Sequence, residues 1–283
     1  MQVLRNPKQI QQFLKSLKPK GKTIGFVPTM GYLHEGHLSL VRLSNRQNDV
    51  TVVSIFVNPL QFGPKEDLKK YPRDLKHDLA LLKKENVDLV FIPDNSSVYP
   101  DHFQTTVKVS SLSEGLCGAS RPTHFAGVTT VVAKLLNMVS PDALYLGQKD
   151  YQQFKVIEKM VSDLNMPVRV VMAPIVREKD GLAISSRNVH LGLLERKQAV
   201  VLHQALLKVQ REIRQGQKNT AILKKSLKNW ISRAPLGRVD YAEIVDVATL
   251  KPVVKLRHGQ KLLAAVAANF GQTRLIDNLL IKV

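Results

Sequence analysis

The sequence predicts an α/β protein with a doubly wound, Rossmann-like, mostly parallel sheet, followed by a second, smaller α+β domain. Three observations carry this reading. Apolar β-branched runs alternate with helix-spaced runs through the first part of the chain. The run from Val50 to Val57 is continuously apolar, as in a strand covered on both faces. After about Val176 the composition shifts to long Lys/Arg/Gln-rich helices and then alternating strands. The predicted boundary puts a nucleotide-binding domain at 1–175 and a smaller domain at 176–283.

Taken in order, residues 23–27 read as a first strand and 36–48 as a helix. Strand 50–57 and a helix at 74–84, spaced by Leu75, Leu79 and Leu82, come next. Residues 87–92 form a third strand that ends at Pro93. The alternation in 105–109 reads as an edge strand. A long apolar helix is expected over 125–139, a strand over 143–146, a helix over 151–164 and a strand over 168–172. Beyond the boundary, 191–215 reads as one long amphipathic helix and 221–232 as another. Segments 237–247, 261–268 and 274–278 read as antiparallel strands.

Composition narrows the function classes. The chain has 283 residues, 44% apolar and 23% charged, an ordinary globular balance. No apolar run approaches the roughly 20 residues of a membrane span. The N-terminus lacks the apolar core of a signal peptide. One cysteine, Cys117, excludes an intramolecular disulfide framework, so a cytoplasmic location is expected. The net charge of +19 points to anionic partners, either nucleic acid or phosphorylated small molecules. The lysines are spread through helical stretches such as 8–22, 65–84 and 208–228, the pattern of solvated helix faces. The expectation is no nucleic-acid and no membrane partner.

Four corners carry chemistry. Pro28 to His37, P-T-M-G-Y-L-H-E-G-H, lies where a strand hands over to a helix, a place suited to phosphate. A zinc-protease reading needs H-E-x-x-H; here the second histidine arrives one residue early, and no cysteine or third histidine lies nearby. Asn58-Pro59 ends the second strand, and Gln61 brings an amide to the sheet's carboxyl edge. Gly147-Gln148-Lys149-Asp150 follows another strand. Lys149 suits phosphate, Asp150 also suits an N-cap, and Gln153 lies a turn further on. Finally, Arg177 to Asn188 joins the domains with an Asp-Gly turn, two serines and Arg187, a set suited to polyphosphate. Ser185 or Ser186 also suits an N-cap, a role that leaves Arg187 unexplained. No P-loop, dinucleotide fingerprint or Ser–His–Asp order occurs.

With these residues in view, the chain resembles the pantothenate synthetase (pantoate–β-alanine ligase) family. The resemblance rests on six motifs in the family's order: P-T-M-G-Y-L-H-E-G-H, S-I-F-V-N-P-L-Q-F-G from Ser54, Y-P-R at Tyr71, H-F-x-G-V at His124, G-Q-K-D-Y-Q-Q at Gly147, and D-G-L-A-I-S-S-R-N at Asp180. The H-E-G-H and I-S-S-R segments are also similar to the HIGH and KMSKS signatures of class I aminoacyl-tRNA synthetases. The Ile184 segment lacks the KMSKS lysine pair, and no anticodon-binding extension follows.

The resemblance implies ATP-dependent condensation of pantoate with β-alanine through pantoyl adenylate, releasing pyrophosphate and AMP. It implies catalytic roles for His34, His37, Lys149 and Arg187. ATP would be held by Met30, Gly31, Tyr32, Leu33, His34, Glu35, Gly36, His37, Gly147, Gln148, Lys149, Asp150, Val176, Ile184, Ser185, Ser186 and Arg187. Gln61 and Gln153 would hold pantoate, with Gln61 also near β-alanine. Mg²⁺ is expected on the ATP phosphates, with Asp78 as the candidate protein ligand, and no tightly bound organic cofactor is expected. A homodimer is the family expectation. One departure is Ile184, where the family usually has Met; the two are close in volume, so a backbone contact would survive.

Overall fold

The computed structural model describes residues 1–63 and 68–283, so Lys65 of the lysine-rich stretch lies outside the described residues. The chain divides into two compact units. The first comprises Met1–Ser113, Arg121–Gln148 and Gln153–Pro174; the second comprises Glu114–Ser120, Lys149–Gln152 and Ile175–Val283.

The first unit is built on a six-stranded parallel sheet of β1 (Gln2–Leu4), β2 (Ile24–Thr29), β3 (Val50–Ile55), β4 (Leu89–Phe91), β5 (Ala143–Gly147) and β6 (Arg169–Ala173). The spatial order is β1-β4-β3-β2-β5-β6. The chain thus steps outward from β2 in one direction and returns to β2's other side with β5. The strand order therefore reverses between β2 and β5, and open parallel sheets bind ligands at the carboxyl ends of the strands at such a reversal.

Neighbouring residues along each strand feed different cores. Phe26, Val52, Leu89 and Leu144 pack into one cluster with α1 (Pro7–Lys15), α6 (His124–Val139) and α7 (Tyr151–Asp163). Val27, Val53, Val90 and Tyr145 pack into another with α2 (Glu35–Gln47) and α3 (Leu75–Lys84). Burial on both faces explains the unbroken apolar runs. The short helices α4 (Asn95–Val98) and α5 (Cys117–Ser120) lie in the connections.

In the second unit, β7 (Gly237–Asp246), β8 (Lys261–Phe270) and β9 (Thr273–Lys282) form an antiparallel sheet in that order. Alternate β8 residues, Leu262, Ala264, Val266, Ala268 and Phe270, pack with α9 (Val201–Arg214) and α10 (Thr220–Ile231). A shorter helix, α8 (Leu193–Ala199), precedes α9.

The structure corrects the sequence reading in four places. β1 escapes that reading because its three residues are mostly exposed and carry no apolar pattern. Residues 105–109 are not a strand. Val107 instead bonds to threonine hydroxyls of α6, its N–H donating to Thr130 Oγ1 at 3.0 Å and its carbonyl accepting from Thr129 at 2.6 Å. The predicted helix 191–215 breaks at Val200, where two stiff β-branched residues adjoin. β9 runs on to Lys282 because its ladder with β8 continues for ten residues.

Candidate active site

The corner after β2 closes on itself. Gly31 and Tyr32 both have positive φ, +82° and +50°. That path turns two successive backbone N–H groups onto Asp78 of α3. Tyr32 N–H donates to one carboxylate oxygen at 2.9 Å, and Leu33 N–H to the other at 2.7 Å. Asp78 is 1% exposed, and burial pushes its carboxyl above the usual range despite these two donors. A side chain at position 31 would meet Asp78 at 3.0 Å, so the glycine is needed on two counts.

These bonds change the expectation for phosphate. The N–H groups of Gly31, Tyr32, Leu33 and Gly36 all have internal acceptors: Thr29 Oγ1, Asp78 and His34 Nδ1. The corner therefore offers side-chain donors. His34 is the N-cap of α2, and its Nδ1 accepts from Gly36 N–H at 3.2 Å. In the neutral ring this places the proton on Nε2, which is a donor. His37 stacks on His34, with ring centroids 4.0 Å apart. Glu35 turns along the helix to pair with Arg42.

The corner after β3 presents Gln61, which is 9% exposed. Asn58 Nδ2 donates to its Oε1 at 3.0 Å, and its own Nε2 lies 3.1 Å from Met30 Sδ. Its backbone carbonyl accepts from His124 Nδ1 at 2.9 Å and from Arg121 at 3.3 Å. Since that carbonyl can only accept, His124 carries its proton on Nδ1, leaving Nε2 to accept from Arg121 at 3.2 Å. Gly127 lets α6 come this close: a Cβ there would lie 2.3 Å from the Leu60 carbonyl oxygen. The H-F-x-G-V motif thus acquires a reason that spacing alone did not reveal. Gln153 is half-buried on α7. Its neighbour Gln152, in the second unit, holds Cys117 N–H at 3.0 Å and the Gly115 carbonyl at 2.7 Å.

In the second unit, Gln148–Asp150 is a 3₁₀ turn running straight into α7, with Gln148 itself counted in the first unit. Lys149 Nζ lies 3.7 Å from the Asp150 carboxylate. Asn278 Nδ2 holds the Lys149 carbonyl at 2.9 Å. Residues 176–184 form a small hairpin. Ile184 N–H donates to the Val176 carbonyl at 3.0 Å, and Gly181 N–H to that of Glu178 at 2.9 Å. Arg177 grips the 2%-exposed Asp277 carboxylate with two bonds of 2.7 and 2.9 Å. Arg196 pairs with both Glu178 and Asp180 at 2.7 Å. The hairpin delivers Ser185, which caps the 3₁₀ turn Ser186–His190 by accepting from Arg187 N–H at 3.3 Å. Sequence reading missed the supporting roles of Asn58, Arg177, Asp277 and Asn278, because each acts on a partner distant in sequence or on a backbone group.

Among the described residues no group of three or more His, Cys, Asp or Glu side chains could hold a metal ion, and no helix is long and apolar enough to cross a membrane.

A family model described as pantoate-beta-alanine ligase matches residues 2–280. The chain belongs to this family. A pantothenate synthetase of Sulfurihydrogenibium sp. is 55% identical over 280 residues, covering 99% of both chains. The crystal structure of pantothenate synthetase from Thermus thermophilus aligns with a TM-score of 0.92 at 46% identity, covering 99% of each chain. The Francisella tularensis pantoate-beta-alanine ligase, solved in complex with beta-gamma ATP and β-alanine, aligns with a TM-score of 0.80 at 35% identity, covering 99% of this chain and 97% of its own. Family membership makes the chain a pantoate–β-alanine ligase of pantothenate biosynthesis.

Proposed function

We propose that the chain activates pantoate as an adenylate and passes it to β-alanine. The pantoate carboxylate attacks the α-phosphorus of ATP and pyrophosphate leaves; the β-alanine amine then attacks the mixed anhydride and AMP leaves. No protein nucleophile is required, so catalysis consists of positioning and of stabilising charge on phosphate oxygens. The observation that carries this reading is the donor character of the two first-unit corners: neutral His34 carries its proton on Nε2, and Gln61 has one amide N–H beyond its contact with Met30 Sδ. His34 and His37 are assigned to the phosphates. Gln61 and Gln153 are assigned to pantoate, with Gln61 also beside β-alanine.

The remaining nucleotide contacts follow the family motifs. They are assigned to Met30 to Gly36, Gly147 to Asp150, Val176 and Ile184 to Arg187, with Lys149 and Arg187 supplying cationic charge. At Tyr32 and Leu33 the contact must use groups other than the N–H, which Asp78 holds. The Ile184 N–H is held by the Val176 carbonyl, so a backbone contact to the nucleotide would use the Ile184 carbonyl, which the change from the family's Met leaves in place.

Mg²⁺ is assigned to the ATP phosphates, since the ion usually keeps several waters and binds through one or two carboxylates plus substrate phosphates. Asp78 is the one carboxylate we would assign near it, through lone pairs left over from the two N–H bonds. Bound there, Mg²⁺ would neutralise charge on the phosphates. The reading further includes a cytoplasmic location, which rests on the single cysteine, and a homodimer, which rests on the family resemblance.

Isotope exchange between pyrophosphate and ATP tests the scheme. Exchange should require pantoate and Mg²⁺ but not β-alanine, and AMP release should require all the substrates. No exchange with pantoate present would remove the adenylate step.

A further inference from the structure

We propose that Asn58 is a positioning residue that decides which end of the Gln61 amide meets the acid substrate. The proposal rests on the assignment of Gln61 to pantoate. It starts from two backbone groups whose hydrogen-bonding roles cannot be exchanged: the Gly127 carbonyl only accepts and the Leu60 N–H only donates. Asn58 Nδ2 lies 3.1 Å from that carbonyl, and Asn58 Oδ1 lies 3.3 Å from that N–H. The Asn58 amide, 1% exposed, therefore has one permitted orientation. Tyr99 adds a second lock by donating its hydroxyl to the same Oδ1 at 2.7 Å. Burial pushes the Tyr99 phenol's ionisation upward, so the hydroxyl keeps its proton at physiological pH.

The consequence passes to Gln61. The second N–H of Asn58 points at the Gln61 side chain at 3.0 Å, so the atom there must be the oxygen. The Gln61 nitrogen then occupies the other end, against Met30 Sδ. With one hydrogen on sulfur, its second hydrogen has no partner among the described residues. Gln61 thus presents a donor, while its acceptor is engaged by Asn58. A donor end suits an ionised carboxylate or a hydroxyl lone pair and disfavours a group that can only donate, such as an ammonium. Gly127 permits the arrangement, since a Cβ would drive the Leu60 carbonyl away. Selection of a hydroxy acid in its carboxylate form is traced to a tyrosine hydroxyl, an asparagine and two backbone groups, all in the first unit.

The test compares three variants by pantoate KM in pyrophosphate exchange, with ATP binding measured by calorimetry as the control. Asn58→Asp keeps the contacts from Tyr99 and Leu60 but replaces both donors by an acceptor. Gln61 must then turn its nitrogen inward and its oxygen toward substrate. Pantoate KM should rise on the order of 10- to 100-fold with ATP affinity retained, the usual scale for a mismatched buried polar group. Tyr99→Phe removes one lock and should raise it about 2- to 10-fold. A purely structural role would lower thermal stability and move ATP and pantoate binding together.

Wild-type pantoate KM in both variants overturns the relay. If Asn58→Asp does not fold, Tyr99→Phe decides by the same criterion. Gln61→Glu keeps the bond from Asn58 and turns an acceptor outward, so it should also raise pantoate KM. If Gln61→Glu is impaired while Asn58→Asp and Tyr99→Phe are not, the relay fails and the pantoate assignment stands. If Gln61→Glu is unimpaired, the pantoate assignment fails with it.

Discussion

The corners of the first unit and the hairpin of the second present comparable sets of polar side chains, yet they are held by different forces. The first-unit corners are fixed by short hydrogen bonds among amides, imidazoles and backbone, with one buried carboxylate, Asp78, at 2.7–2.9 Å from two N–H groups. The hairpin at 176–184 is fixed by ion pairs: Arg177 on Asp277, and Arg196 on Glu178 and Asp180. Neutral bonds of fixed geometry orient a donor atom; charge pairs anchor a segment of backbone. The difference suits a histidine or amide that must aim one atom, and a loop that must carry Ser185 to Arg187 as a group.

Breaking the buried pair should have the largest effect. Asp277→Asn leaves Arg177 without its counter-charge and should cost about 3–5 kcal/mol of stability, read by denaturant unfolding. A loss below about 1 kcal/mol, the surface-pair range, would mean that the hairpin is not anchored there. His37→Ala probes the opposite property. It should lower pyrophosphate exchange by about 10²-fold or more, the scale for loss of one charge-stabilising donor, with little change in unfolding. An unchanged rate would take His37 out of the mechanism.

Arg196→Ala sharpens the comparison from the exposed side. Its two pairs are partly solvated, so the loss should be roughly 0.2–1 kcal/mol per pair and should shrink as salt is added. A loss independent of salt would point to packing of the arginine stem instead. The smallest effect concerns pH. His203 lies 4.0 Å from Asp277, and burial and the Arg177 charge lower its pKa. The unfolded chain then binds a proton, near the ordinary pKa of about 6.5, before the folded chain does. Stability should fall as pH drops below that value toward the lowered folded one. His203→Gln should flatten this part of the pH profile; an identical slope in the variant would exclude His203.

Local sequence carried the residues that meet solvent or ligand. His34 and His37 announced themselves by their place after an apolar run, Lys149 by following a strand, and Ser185 to Arg187 by following an Asp-Gly turn. What supports them was not legible. Asp78 is 45 residues from Leu33, Tyr99 41 from Asn58, and Arg177 100 from Asp277. In each pair the partner sits on a different element, and nothing in either segment marks the match. The strand-like alternation of 105–109 misled for the same reason: side chains of α6 took the bonds that a neighbouring strand would have made.

The sequence by itself determined most of the order of strands and helices, the apolar faces that build the cores, and the family, because periodicity and motif order are local or linear properties. The tertiary structure decided which hydrogen-bonding groups remain to be offered. It used the N–H groups of the phosphate-like corner internally, set the tautomer of His34, and turned the Gln61 amide donor-outward. Those choices depend on which acceptor or donor lies within about 3 Å after folding, a distance that no linear spacing encodes.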